Sequence, residues 1–366
     1  MRAGRAPLRV LALVTDGFGG HGGIARYNQA LLQALAGVDH VAGIEVVARY
    51  GESGPGMAGP SAIVQRTAPG KAAYLARVAA SASRRRFDLV FCGHLHMAPL
   101  AAAVAVRQGC PWWLQVHGIE AWQAPGRAVR VAVGRAALVT AVSRFTRRRL
   151  LAWADLEPER VRVLPNVVEA RFAPGPKPDA LVRRLGLEGR RVLLTVGRLA
   201  ASERYKGHDR VIEALAALAD RHPDLVYLIA GDGDDRPRLE ALAAACGMAG
   251  RVRFLGQVPD QDLPELYRLA DLFVMPSTGE GFGIVFLEAM ASGVPALGGN
   301  ADGSRDPLQD GSLGKVAPVE RLDEALAACL ARPAPDRDRL AREVRRIFGP
   351  EAFARRLGDL VRTIGA

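Results

Sequence analysis

The sequence predicts an α/β protein of two Rossmann-like domains, each a parallel sheet covered by helices, facing a central cleft. Three observations carry this. At 366 residues the chain exceeds a single core of ordinary size, so two domains of roughly 150 to 200 residues are expected. Short aliphatic runs alternate with alanine- and leucine-rich stretches from end to end, the pattern of strands buried on both faces between helices. The alternation breaks once, at RFAPGPKPDALVRR, where Pro174, Pro176 and Pro178 forbid a helix and mark a linker.

The first domain, 1–174, takes its strands from LRVLALVT, GIEVVARY, FDLVFCG, PWWLQVHG, ALVTAVS and VRVLPN. The second, 175–349, takes them from RVLLTVG, LVYLIAG, VRFLG, DLFVMPS and VPALGG. The final stretch PEAFARRLGDLVRTIGA (350–366) has helical spacing after a Gly-Pro step and is expected to cross back to the first domain. GESGPGMAGPSAIVQRTAPG (51–70) reads as a mobile surface loop. Ligands of such sheets bind beyond the carboxyl ends of the strands, so two facing sheets make one deep cleft.

A hydrophobic content of 49% with 24% charged residues describes a soluble globular chain. No apolar run approaches the ~20 residues that span a bilayer, and LRVLALVTD reads as a buried strand, not a signal peptide. The four cysteines form no CxxC pair, which argues against zinc or a disulfide framework and fits a reducing cytoplasm. The net charge of +11 is uneven: residues 1–175 hold 22 Lys/Arg against 10 Asp/Glu, and the remainder 27 against 28. The excess gathers at Arg84–Arg85–Arg86, Arg127, Arg130, Arg135 and Arg147–Arg148–Arg149. Such asymmetry suggests an anionic partner. Few aromatics interleave with these arginines, which ranks nucleic acid last and leaves an anionic membrane surface or a phosphorylated substrate.

The glycine loop TDGFGGHGG matches GxGxxG through Gly17, Gly19 and Gly22 directly after a strand, with Glu52 placed as a ribose acid. Alone, that pattern leaves a dinucleotide oxidoreductase open. The second half is more informative. In ADLFVMPSTGEGFGIVFLEAMASGVPAL a strand ends at Pro276, a loop carries Glu280, Gly281, Phe282 and Gly283, and a helix begins near Ile284. The free amides at 283–285, including that of Val285, suit an anion such as a diphosphate, and Gly281 and Gly283 permit close backbone approach. Glu280 and Glu288 flank that anion site, and carboxylates so placed suit neutral sugar hydroxyls. Cations for the diphosphate lie in VGRLAASERYKGHDRVIEAL: Arg198 as a fork and Lys206 as a point charge, with Arg204 as a nearby spare.

These segments resemble the retaining glycosyltransferases of GT-B fold, glycosyltransferase family 4. The likeness spans the GGIARY glycine loop, VHGIE, AVSRFTRRRL, VLPNVV, VGRL with KGHD, IAGDGD, VRFLG and EGFGIVFLEAMASG. Glu280 to Glu288 reproduces the family's E-x7-E motif. The resemblance implies that Glu280 contacts the donor sugar, Glu288 the ribose, and Arg198 and Lys206 the diphosphate. It implies that Gly19, Gly20, Gly22 and Gly23 close over that diphosphate, that His117 lies close to the transferred sugar, and that Asn166 lies near the cleft. Backbone around 231–233, with Gly231, and 255–258 is expected to read the base. His94 and His96 have metal-ligand spacing without a third ligand, and Asp232 and Asp234 read as helix caps, so no metal or other cofactor is expected.

The function expected is transfer of a hexose from a nucleoside diphosphate sugar, UDP-glucose or GDP-mannose in type, to an acceptor hydroxyl with retention. The acceptor is expected to be a lipid-linked or cell-surface glycan, met in the cytoplasm or at the inner face of a membrane. A sugar-nucleotide epimerase of the same fold, an NAD-dependent oxidoreductase and a non-catalytic sugar-binding protein are the competing readings.

Overall fold

A computed structural model describes residues 7–20, 22–51, 54–55, 62–333 and 336–364. The chain divides into two units, 1–167 with 350–366 and 168–349.

The first unit contains β1 (Leu8–Asp16), α1 (Gly23–Ala36), β2 (Val41–Tyr50), β3 (Gly54–Pro55), β4 (Ala62–Thr67) and α2 (Lys71–Arg84). It continues with β5 (Leu89–Cys92), α3 (Ala98–Gln108), β6 (Trp112–Val116), α4 (Arg127–Gly134), β7 (Leu138–Ala141), α5 (Arg144–Leu151) and β8 (Val161–Val163). The sheet order is β3-β4-β2-β1-β5-β6-β7-β8, parallel except for β3. The central position of β1 explains its composition: Val10, Leu11, Ala12, Leu13 and Val14 are fully buried, as a strand covered on both faces requires.

The second unit contains α6 (Asp179–Arg184), β9 (Arg191–Val196), α7 (His208–Ala217), β10 (Leu225–Ala230), α8 (Arg236–Ala245), β11 (Val252–Gly256) and α9 (Leu263–Leu269). It closes with β12 (Leu272–Met275), α10 (Ile284–Ala291), β13 (Ala296–Gly299), β14 (Lys315–Ala317), α11 (Leu322–Leu330) and α12 (Arg337–Phe348). Its six strands run parallel in the order β11-β10-β9-β12-β13-β14. The last helix, α13 (Pro350–Ile364), belongs to the first unit and packs on α1.

Two expectations are corrected. The stretch 51–70 is not all loop: AIVQRT forms β4, whose Ile63 pairs with Ile44 of β2. Its run of β-branched and apolar residues is hidden by flanking glycines and prolines. Residues 52–53 and 56–61, with Glu52, lie outside the described residues. The boundary at 174 moves to 167/168, because 168–177 is strapped to the second unit. Val168 N donates to Phe348 O at 2.9 Å, and Arg345 reaches Phe172 O at 2.7 Å. Phe172 is fully buried, edge-on to Tyr267 at 5.7 Å, and Lys177 pairs with Asp271 at 2.7 Å. The prolines forbid a helix there without making a free linker.

Candidate functional site

In the second unit the strand order reverses at β9, with β10 on one side and β12 on the other. Such a switch point opens a crevice beyond the carboxyl ends, and the loops after β9, β10 and β12 meet there. Gly231, at φ 142°, brings two of them together; a Cβ on it would lie 1.8 Å from Gly197 O. Gly231 N donates to Gly256 O at 2.8 Å and Gly197 N to Ala230 O at 2.9 Å. The expected base-reading segments 231–233 and 255–258 are therefore knit to the loop that carries Arg198.

Lys206 ends the 3-10 turn Ala201–Lys206 and is 11% exposed. Its Nζ donates to Glu203 Oε2 at 2.5 Å and lies 3.7 Å from Glu280 Oε1. Arg198, 78% exposed, pairs with the other oxygen of Glu203. The turn is anchored at both ends: Ala201 N donates to Asp234 Oδ1 at 2.7 Å, and Thr278 N to Tyr205 O at 2.9 Å. Glu280 is positioned by Asp302, whose Oδ2 accepts from Glu280 N at 2.6 Å and from the Ser277 hydroxyl at 2.8 Å. Burial raises the Glu280 pKa, and Lys206 beside it pulls the other way. The helix α10 starts at Gly283, left-handed at φ 84°, with no side-chain cap and no acid in its first turn. An anion is thus offered amides, a helix dipole and two cations within one unit.

The apolar character of α10 decides where its other residues go. Phe286, Leu287, Ala289 and Met290 are fully buried. Glu288 among them is 1% exposed and accepts from Tyr267 OH at 2.7 Å. It presents no surface to a ribose in this arrangement. Phe282 is likewise core, edge-on to Phe348 at 5.9 Å, while Gly281, Ile284 and Val285 are half-buried. Asp232 and Asp234 do not cap α8. Asp234 holds Ala201 N, and Asp232 accepts from Gly233 N at 2.9 Å; the N-cap position of that helix is the buried Asp235, taken by Arg204 and Arg238.

In the first unit the order reverses at β1, between β2 and β5. The glycine loop after β1 is shaped by side-chain amides. Buried Gln65 on β4 accepts from Phe18 N at 2.8 Å and donates to Phe18 O at 2.9 Å. Asn28 and Gln29 on α1 donate to Asp16 O and Gly17 O at 2.8 and 3.0 Å. Gly17 leaves room for that amide: a Cβ there would lie 2.1 Å from Gln65 Oε1 and would push the side chain aside. Gly19, Gly22 and Gly23 are exposed, Gly20 is half-buried, and no side chain caps α1.

His117 directly follows β6 and is half-buried. Its Nε2 lies 2.9 Å from Gly93 O, a carbonyl that can only accept, so Nε2 carries the proton and Nδ1 is an acceptor. Desolvation lowers its pKa against the pull of Glu120, whose Oε1 accepts from His117 N at 2.5 Å. Tyr27 stands edge-on to the ring at 5.2 Å and is itself backed by Phe353 of α13 at 6.0 Å. His94 Nδ1 accepts from His96 N at 3.3 Å, an assignment of that nitrogen to the turn. Asn166 is half-buried at the end of the first unit.

Sequence reasoning missed Glu203, Ser277, Asp302, Asn28, Gln29 and Gln65. Glu203 was open to detection as the acid between two cations in one loop. The amides had no signal, because their partners are backbone atoms of a loop 12 to 47 residues away.

Residues 21–172 match the model of Glycosyltransferase Family 4, and residues 179–347 that of glycosyl transferases group 1. A GDP-mannose-dependent alpha-(1-6)-phosphatidylinositol monomannoside mannosyltransferase of Mycolicibacterium smegmatis is 34% identical over 252 residues, 65% of this chain and 64% of that one. Alpha-D-kanosaminyltransferase of Streptomyces kanamyceticus is 36% identical over 200 residues, 54% of this chain and 51% of that one. The match thus spans between half and two thirds of these relatives' length. Among solved structures, Anabaena HepE in complex with UDP has a TM-score of 0.77 at 20% identity, over 97% of this chain and 100% of that one. Two consecutive family matches, one to each unit, and a shared fold over nearly the whole length lead to one assignment: the chain belongs to glycosyltransferase family 4 and has the GT-B fold.

Proposed function

We propose that the chain is a retaining hexosyltransferase that needs no metal and moves a sugar from a nucleoside diphosphate donor to an acceptor hydroxyl. The observation that carries this reading is the pairing of Arg198 and Lys206 with the uncapped start of α10 beside one switch point. When the sugar–oxygen bond breaks, the leaving diphosphate keeps the electron pair, and these groups stabilise its growing charge. The acceptor oxygen forms the new bond on the same face, and its proton passes to a leaving phosphate oxygen. Glu280 binds sugar hydroxyls, and in the first unit the bare Nδ1 of His117 is left to accept from a hydroxyl. GDP-mannose ranks first as donor, supported by the name of the 34% identical mycobacterial relative, with UDP-glucose second.

The acceptor we propose is a lipid-linked or cell-surface glycan at the inner face of a membrane. The basic excess of residues 1–175 would rest on anionic headgroups, and co-sedimentation with anionic liposomes at physiological salt tests that part. No helix among the described residues is long and apolar enough to cross a membrane.

The central test is calorimetry with GDP, UDP, ADP and NADH, without divalent metal and then with magnesium, beside transfer assays. One nucleoside diphosphate is expected to bind without metal. Glu280→Gln is expected to keep that binding and lose roughly 10² to 10³ in kcat. Binding of NADH alone would sink the transferase reading.

A further inference from the structure

One residue of the anion-binding loop has no place in the reaction above. Glu203 lies inside the turn Ala201–Lys206 at φ −115°, ψ 24°, outside helical geometry, and is 12% exposed. Its carboxylate spans both cations, one oxygen on Arg198 and the other 2.5 Å from Lys206 Nζ. Glu280, at 3.7 Å, adds a second negative charge beside Lys206. The four side chains together carry no net charge. A diphosphate needs the same cation faces that Glu203 covers.

The geometry points to a placeholder role, and we propose that Glu203 is an internal anion that the donor's diphosphate must displace from Arg198 and Lys206. This rests on the reading of that loop as the diphosphate site. The surroundings favour side-chain movement over loop movement. The turn is pinned by Asp234 at its start and by Thr278 at its end, and Gly279 packs against the Tyr205 ring. Rotation of the Glu203 side chain alone would then uncover the cations, with the backbone of the turn held in place. Binding is then an exchange of one anion for another, which lowers net affinity. In the reverse direction the returning carboxylate competes with the product, so release of the nucleoside diphosphate is faster than two exposed cations would allow.

Glu203→Gln keeps the size and removes the charge. The expected result is a Kd for GDP or UDP about tenfold lower, a slower dissociation rate in stopped-flow displacement, and a steeper weakening of binding with added salt. Glu203→Ala, read the same way, guards against a new hydrogen bond from the amide. Unchanged or weaker nucleotide binding in the Gln variant overturns the proposal and makes Glu203 a residue that orients the two cations. Arg198→Ala in the otherwise native chain separates the two levels. If it binds GDP and UDP as the native protein does, the diphosphate reading itself fails. If it binds weakly while Glu203→Gln gains nothing, only the placeholder fails.

Discussion

The two units solve one local problem with different chemistry. Each opens a helix with glycine at a sheet switch point, α1 at Gly22 and α10 at Gly283, and neither helix has a side-chain cap or an acid in its first turn. Around α10 the unit gathers charge: Arg198, Lys206, Glu203 and Glu280, with Asp302 bonded to the loop backbone. Around α1 it gathers three amides and one imidazole: Gln65, Asn28, Gln29 and His117. Charges attract and hold an anion, whereas amides fix the shape of a backbone. The same motif is thus ringed by charge in one unit and by amides in the other.

The glycines break the symmetry most sharply. Gly22 and Gly231 both have positive φ, 93° and 142°, yet a Cβ on Gly22 meets nothing within 4 Å while one on Gly231 runs into Gly197 O. Gly231→Ala is expected to cost about 4 kcal/mol, strain plus a backbone clash, and to abolish nucleotide binding. Gly22→Ala should cost about 2 kcal/mol, backbone strain without a clash. Urea unfolding of both variants checks the difference. Equal losses would mean that φ alone governs and that the packing of the second unit's loops carries no extra weight.

Charge gathered in one place constrains what lies behind it. His208 follows Lys206 by two residues, is 5% exposed, and its Nε2 has no partner among the described residues. Burial, with Lys206 and Arg238 adding to it and Asp209 and Asp235 opposing, lowers its pKa from 6.5 to about 4. The unfolded chain therefore takes up a proton that the folded unit refuses. Stability is complete above pH 6.5 and falls as pH drops toward 4, by roughly 3 kcal/mol from this group. His208→Met should change stability at pH 7 by less than about 1.5 kcal/mol and flatten the acid slope, which urea unfolding at several pH values between 4 and 7 measures. An unchanged slope would move the acid sensitivity to another group.

How far the sequence could be read follows the same division. The strands of both sheets were legible because central parallel strands are continuously apolar, as β1, β5 and β10 are. That Arg198, Lys206 and Glu280 gather around one pair of loops was legible because charged residues after a strand and before a helix have few structural reasons to be there. β4 was not, since its six residues sit among glycines and prolines, and β3 and β14, two and three residues long, are too short to leave a pattern. The burial of Glu288 was not, because a helix register shows which face a residue takes but not that Tyr267 waits there with a hydroxyl. Nor was the strapping of 168–177, which depends on arginines of α12 reaching back to carbonyls some 160 to 170 positions earlier.

Gln65 tests whether shape in the first unit matters as charge does in the second. Its amide satisfies both backbone groups of Phe18, and the same amide fills the space beside Gly17. Gln65→Leu keeps the volume and removes both hydrogen bonds, so the partly buried N–H and C=O of Phe18 lose their partner at a cost of about 2 kcal/mol. The loop before α1 should then sample several conformations, and kcat/KM should fall about tenfold through misplacement alone. Nucleotide affinity should hold, because the cations belong to the other unit. A fall in affinity equal to the fall in kcat/KM would mean that the glycine loop binds the donor as strongly as Arg198 and Lys206 do. The contrast between a charged half and a shaped half would then give way to two halves that share the anion.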